Sequence, residues 1–192
     1  DRRLGIPGEE LQGSHTATEF VGWYNAHPDY ADRVFDLSGD TAVVIGQGNV
    51  AVDVCRILCK TVDELRDTDI SQAALDALAE SQLKEIYLIG RRGPVQAKFT
   101  GQELRELGHL ADCDPAVEPN ELEVDPVSRA ELEAPNNTHS AKNLELLAEF
   151  AQRPPSAKNR RCRILFFRSP IELRGAELRG AELRGAQRIN SV

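Results

Sequence analysis

No apolar run in this sequence approaches the roughly 20 residues that a membrane-crossing helix requires, so no such span is expected. Positive charge is also scarce. Against 31 Asp and Glu stand 23 Lys and Arg, a net charge of -8, and no stretch is dense in both basic and aromatic residues, which argues against a nucleic-acid partner. The first residues, Asp1-Arg2-Arg3-Leu4, do not build a signal peptide. Cysteine is sparse too. Cys55, Cys59, Cys113 and Cys162 lack the paired spacing of metal ligands, and Cys55 and Cys59, one helical turn apart, are expected to be buried free thiols. What is present suffices for one domain with a real core plus tails, since 192 residues with 41% hydrophobic and 28% charged content are ordinary for a globular chain.

The chain is organised around Thr41 to Ala51, Thr-Ala-Val-Val-Ile-Gly-Gln-Gly-Asn-Val-Ala. Five strand-favouring residues run into Gly46-x-Gly48-x-x-Ala51 and then into a helical pattern from Asn49 to Lys60. Gly46 can take the angles of a sharp turn, Gly48 has no side chain to block a pyrophosphate, and small Ala51 lets helix and strand pack closely. A diphosphate would then lie against the unpaired amides and positive end of the new helix. A glycine triplet alone is equally a structural turn. The strand before it and the helix after it supply the context of a dinucleotide-binding motif.

Residues 1–15 carry Leu4-Gly-Ile-Pro-Gly-Glu9 and read as a turn-rich connector, because Pro7 and the glycines break any regular element. A helix is expected at about Thr16 to Ala26, opened by the capping box Thr16-x-x-Glu19, with Phe20, Trp23 and Tyr24 on one face. Trp23 is expected in the core. A polar segment, Asp63 to Asp69, precedes a second helix from Ser71 to about Gln82, and the next strand is Glu85 to Gly90, apolar enough for a parallel sheet covered on both faces. Alternating strands and helices predict a doubly wound α/β domain, a Rossmann-like parallel sheet flanked by helices. A helix from Thr100 to about Leu110 follows, then a long irregular loop at 111–138, a helix from Ser140, and a strand from Cys162 to Arg168 stopped by Ser169-Pro170. Domain limits of 16–170 result. Residues 171–192 hold three copies of Glu-Leu-Arg-Gly-Ala, too few to stack a solenoid, and are expected to be a disordered low-complexity tail.

At the tip of the second strand stand Gly90-Arg91-Arg92-Gly93-Pro94. An acidic residue there would accept hydrogen bonds from the ribose of NAD; two arginines reverse that preference. Elsewhere an Arg-Arg pair is a solvated surface feature. Here the guanidiniums suit the 2′-phosphate of NADP, and two charge-assisted bonds of about 1.5 to 3 kcal/mol each would favour it by roughly 3 to 6 kcal/mol. Glu103, three residues after Thr100, reads from spacing alone as a capping-box carboxylate bonding back to the Thr100 amide.

Leu4-Gly-Ile-Pro-Gly-Glu9, Val44-Ile-Gly-Gln-Gly-Asn-Val-Ala-Val-Asp53, Gly90-Arg-Arg-Gly-Pro94, Phe99-Thr-x-x-Glu103-Leu-Arg-Glu106-Leu and Phe166-Phe-Arg-Ser-Pro170 together resemble adrenodoxin reductase, the mitochondrial-type ferredoxin:NADP reductase, in matching order and spacing over residues 3–170. The resemblance implies a two-dinucleotide flavoprotein whose NADP domain is inserted into its FAD domain, with this chain the inserted half. By the same resemblance Gln47, Gly48, Asn49 and Val50 hold the NADP pyrophosphate, Arg91 and Arg92 grip the 2′-phosphate, and Glu103 is a further NADP contact. Asp53 matches a carboxylate facing the flavin, paired in the family with a histidine of the other half. Arg105 matches a position on the face that docks the iron-sulfur partner, ferredoxin or adrenodoxin, although the helix near Ala141-Lys142-Asn143 is poorer in basic residues than the family pattern.

Hydride would pass from NADPH to FAD, and single electrons onward to the iron-sulfur protein. No second glycine motif for FAD is present within the sequence, so the chain alone is expected to bind NADP without turning it over. The alternatives are a non-catalytic NADP-binding module from a truncated gene, and a related flavoenzyme resembling the small subunit of glutamate synthase. Kinship implies a mitochondrial location; without it the expectation is cytoplasmic.

Overall fold

The computed structural model describes residues 3–134, 137–154 and 156–175. The disorder expected for the repeat tail falls, from residue 176 onward, outside the described residues. Four parallel strands, β1 (Thr41–Ile45), β2 (Glu85–Ile89), β3 (Cys113–Ala116) and β4 (Arg160–Leu165), form one sheet in the order β1-β2-β4-β3. Val44 lies opposite Leu88 and Ile89 opposite Leu165, so the carboxyl ends of β1, β2 and β4 come level. Loops from those ends converge there, and this is where ligands of open α/β sheets bind.

Helix α1 (Ala17–Tyr24) begins at the capping box read from sequence: the Glu19 N–H donates to Thr16 Oγ1 at 3.2 Å and the Thr16 N–H to Glu19 Oε2 at 2.9 Å. It ends at Tyr24 with Asn25 as its C-cap, and Ala26 at φ 56° turns the chain toward His27-Pro28. Trp23, 4% exposed, packs with Phe20 and Phe35 at ring separations of 5.5 and 4.8 Å, which places it in the core as expected. Helix α2 (Asn49–Cys59) follows the glycine turn and buries Val52, Cys55, Leu58 and Cys59. The segment read only as polar contains a one-turn helix, α3 (Val62–Leu65), because Thr61 and Glu64 form a second capping box. Ser71 then caps α4 (Gln72–Ala79).

The largest departure lies in residues 111–138. In place of a long irregular loop stand β3, a 3-10 turn at Pro119–Leu122 and a helix, α6 (Pro126–Leu132), between α5 (Gly101–Leu107) and α7 (Thr138–Gln152). Asp125 caps α6 by accepting from the Val127 and Ser128 amides at 2.9 and 3.0 Å, and Pro126 occupies its first position, where a missing N–H costs nothing. The Asp and Pro density that reads as a loop is cap chemistry. The strand near the chain's end also sits earlier than expected, at Arg160–Leu165 rather than Cys162 to Arg168.

Ile86, Leu88, Cys162 and Ile164 point to the helix-covered face and are all 0% exposed. The expected coverage of both faces is incomplete: on the other face Tyr87, Arg163 and Leu165 are only half-buried, and on β1 Val43 and Ile45 remain 39% and 36% exposed. All four cysteines are free and 0% exposed. Brought together from α2, β3 and β4, they form a thiol cluster that their spacing in sequence does not announce. Among the described residues no helix is long and apolar enough to cross a membrane.

Candidate dinucleotide-binding site

Gly46 leaves β1 at φ 149°, an angle that only glycine adopts freely, and its N–H donates to the Ile89 carbonyl at 2.8 Å. A Cβ on Gly46 would lie 3.3 Å from the Ala51 Cβ, so the small residues at both positions let α2 rise close to its strand. Gly48 is the N-cap of α2 and offers no side chain to the amides of the first turn, and a Cβ there would meet nothing within 4 Å. Open space before uncapped amides is what an anionic oxygen requires. Asn49, Val50 and Ala51 form that first turn, with Val50 55% exposed.

Gln47 is turned inward. Its carbonyl accepts the Lys98 N–H at 2.7 Å and its amide lies across Gly90, where any Cβ would come within 1.7 Å of it. A side chain at position 90 would have to displace the end of Gln47. The Gly46 N–H bond to Ile89 joins the tips of β1 and β2, and the exposed pair Arg91 and Arg92 begins two residues beyond Ile89. Arg92 also lines a cavity of about 370 Å³ with Lys98, Thr100, His139 and Asn143. The structure thus puts the glycine turn and the arginine pair on adjacent strand tips, as the sequence predicted.

Glu103 does not behave as spacing alone suggested. The Thr100 N–H donates to Asn49 Oδ1 at 2.8 Å instead, and the Thr100 side chain makes no capping bond. Glu103 Oε2 is left buried without a hydrogen-bond partner. That unmatched carboxylate oxygen sits near the amino end of α5.

Asp53, one turn into α2, pairs with Arg56 at 2.6 Å, and the same guanidinium also binds Glu106 of α5. Burial, and secondarily the charge of Asp53, pushes the nearby Tyr24 hydroxyl up from its ordinary range. Arg105 lies apart from the glycine turn, lining a cavity of about 340 Å³ with Gln102, His139 and Lys142. Neither cavity includes Gly46 or Gly48. Sequence reasoning missed the Asn49 side chain as a link between α2 and α5, and missed Arg56 as the hub of two ion pairs. Side-chain partners across elements leave no periodic trace.

No protein-family model matches the chain. It is 46% identical over 175 residues to the NADPH-ferredoxin reductase FprA of Mycobacterium leprae, covering 91% of this chain and 38% of that protein. It is 44% identical over 176 residues to the mitochondrial NADPH:adrenodoxin oxidoreductase of Arabidopsis thaliana, covering 88% of this chain and 36% of that protein. Among solved structures, Mycobacterium tuberculosis FprA in complex with NADPH superimposes with a TM-score of 0.85 at 45% identity, covering 92% of this chain and 38% of that one. The chain therefore spans less than two fifths of the length of these relatives.

Proposed function

We propose that this chain, homologous to one segment of the NADPH-ferredoxin and adrenodoxin reductases, is the NADP-binding portion of such a flavoprotein. The observation that supports this reading is the adjacency of the uncapped glycine turn and the Arg91-Arg92 tip, joined by the pairing of β1 with β2 and the Gly46 bond to Ile89. The first-turn amides of α2 at Asn49 and Val50 take the pyrophosphate, Arg91 and Arg92 take the 2′-phosphate, and the spare Glu103 oxygen accepts from a nucleotide hydroxyl. The NADPH carried by the solved relative is the ligand these groups fit.

In the whole protein, FAD bound mainly by the rest of the polypeptide would accept the hydride and release single electrons. Transfer requires the reacting atoms to approach within about 3 to 3.5 Å, which a nucleotide shelf alone cannot arrange. What this chain supplies is orientation. Asp53, held by Arg56, lies beyond the first turn of α2 and is assigned to the flavin-facing side. Arg105 and Lys142 belong to the face offered to an acidic iron-sulfur partner, ferredoxin or adrenodoxin. A mitochondrial address follows the plant relative's name, and a bacterial one the FprA relatives.

Calorimetric titration of the chain tests the reading. NADPH and adenosine 2′,5′-bisphosphate should bind at least about tenfold more tightly than NADH. Equal affinity for NADPH and NADH would remove the role given to Arg91 and Arg92.

A further inference from the structure

The Phe166-Phe-Arg-Ser-Pro170 stretch follows β4 and has so far been given no part in holding the nucleotide. Its geometry is nevertheless unusual. Phe167 has φ 53°, a left-handed conformation that a bulky side chain rarely adopts and that persists only where the surroundings enforce it. Its N–H donates to the Arg92 carbonyl at 3.2 Å, and the next N–H, that of Arg168, donates to the Gly90 carbonyl at 2.9 Å. These two bonds bracket Arg91. The Phe167 ring lies on Gly93, where an added Cβ would come 2.6 Å from Cζ.

A buried carboxylate holds the bracket in place. Glu121, 3% exposed, accepts the Phe166 N–H at 2.8 Å with one oxygen and the Arg168 guanidinium at 2.6 Å with the other. Arg168 donates as well to the Phe166 carbonyl at 3.0 Å. The backbone from 166 to 168 is thus fixed on one side by Glu121 and on the other by the arginine loop.

We infer that Phe167, clamped by the Glu121–Arg168 pair, is a positioning residue for NADP selectivity: its ring on Gly93 and its N–H on Arg92 hold the arginine loop ready for a 2′-phosphate. Arg91 and Arg92 are exposed, and exposed guanidiniums on a loose loop lose much of their phosphate affinity to ordering. A preset loop avoids that loss. The inference rests on the proposed assignment of Arg91 and Arg92 to the 2′-phosphate. A residue that merely ended β4 would affect the binding of both coenzymes alike, whereas a positioning residue alters their ratio.

The test uses the chain itself with Phe167→Gly, which keeps the positive φ and removes the ring, and Gly93→Ala, which pushes a methyl group into the ring from the other side. NADPH, NADH and adenosine 2′,5′-bisphosphate are titrated, with far-UV circular dichroism confirming the fold. Both variants should weaken NADPH and the bisphosphate until NADPH leads NADH by no more than about threefold, with NADH affinity unchanged, while Phe167→Tyr retains the wild-type ratio. If either variant fails to fold, the other decides. Folded variants that keep the wild-type preference overturn the inference and leave the proposed function standing. A wild-type chain that binds both coenzymes equally overturns the proposed function and this inference with it.

Discussion

Asn49 Oδ1 accepts the Thr100 backbone N–H at 2.8 Å, so the residue that opens the helix after the glycine turn also tethers the start of the helix that carries Glu103. One side chain sets two parts of the nucleotide shelf relative to each other. Asn49→Ala leaves that amide without its acceptor and should cost about 1 kcal/mol of stability, read as a lower urea midpoint at unchanged slope. NADPH affinity should fall with it. Asn49→Asp, which keeps the acceptor oxygen, should recover most of the stability; a variant as unstable as Asn49→Ala would show that the hydrogen bond is not the cause.

Arg91→Ala and Arg92→Ala should each weaken NADPH binding by about 1.5 to 3 kcal/mol, roughly tenfold to a hundred-and-fiftyfold, with NADH binding unmoved. Both side chains are exposed, so the folded state loses little packing and thermal midpoints should stay close to wild type. Calorimetry on the two single variants settles the point. A parallel drop in NADH affinity would place the arginines elsewhere than on the 2′-phosphate.

The glycine turn and the arginine tip were legible in sequence because each is a local pattern: a strand run, then residues whose backbone or charge has one use at a strand end. Residues 111–138 were not, because the Asp and Pro that mark loops also cap and start short helices such as α6. Glu103 was misread by spacing because the donor it was paired with, the Thr100 N–H, is taken by a residue 51 positions away. The thiol cluster and the Glu121–Arg168 clamp are likewise long-range contacts, visible only once β4 is seated beside β2.

Stability should fall as the medium is acidified, and Asp112 and Asp114 are two named contributors. The Asn159 backbone N–H, then its side-chain amide, hold the Asp112 carboxyl below its ordinary range. For Asp114 burial pushes upward, but the Ser156 hydroxyl and N–H together with the Lys158 ammonium outweigh it and the net direction is down. A depressed folded pKa stabilises fully above the unfolded value, about 3.9, and that contribution is lost as pH drops through the lower folded value. Asp112→Asn should therefore be less stable than wild type at neutral pH and show a flatter decline below about pH 4 in urea titrations. Curves that stay parallel down to pH 2 would sink this assignment.

The four thiols offer a readout of how tightly the fold is held. Cys55, Cys59, Cys113 and Cys162 are all 0% exposed. Burial, followed by contact with Cys162, pushes the Cys55 thiol well up, and contact with Cys113 and Cys162, joined by burial, does the same to Cys59. A thiol disulfide reagent attacks only an accessible thiolate, so the native chain should label slowly and all four cysteines promptly in denaturing urea. Slow labelling then measures opening of the domain. Because a ligand that binds only the closed form stabilises it by RT ln(1 + [L]/Kd), NADPH at a hundred times its Kd should slow labelling by about a hundredfold, equivalent to about 2.7 kcal/mol, with NADH at the same concentration doing far less. Immediate modification of two or more thiols in the native chain would mean that the cluster is open to solvent. Equal protection by the two coenzymes would instead separate a sound core from a mistaken coenzyme assignment.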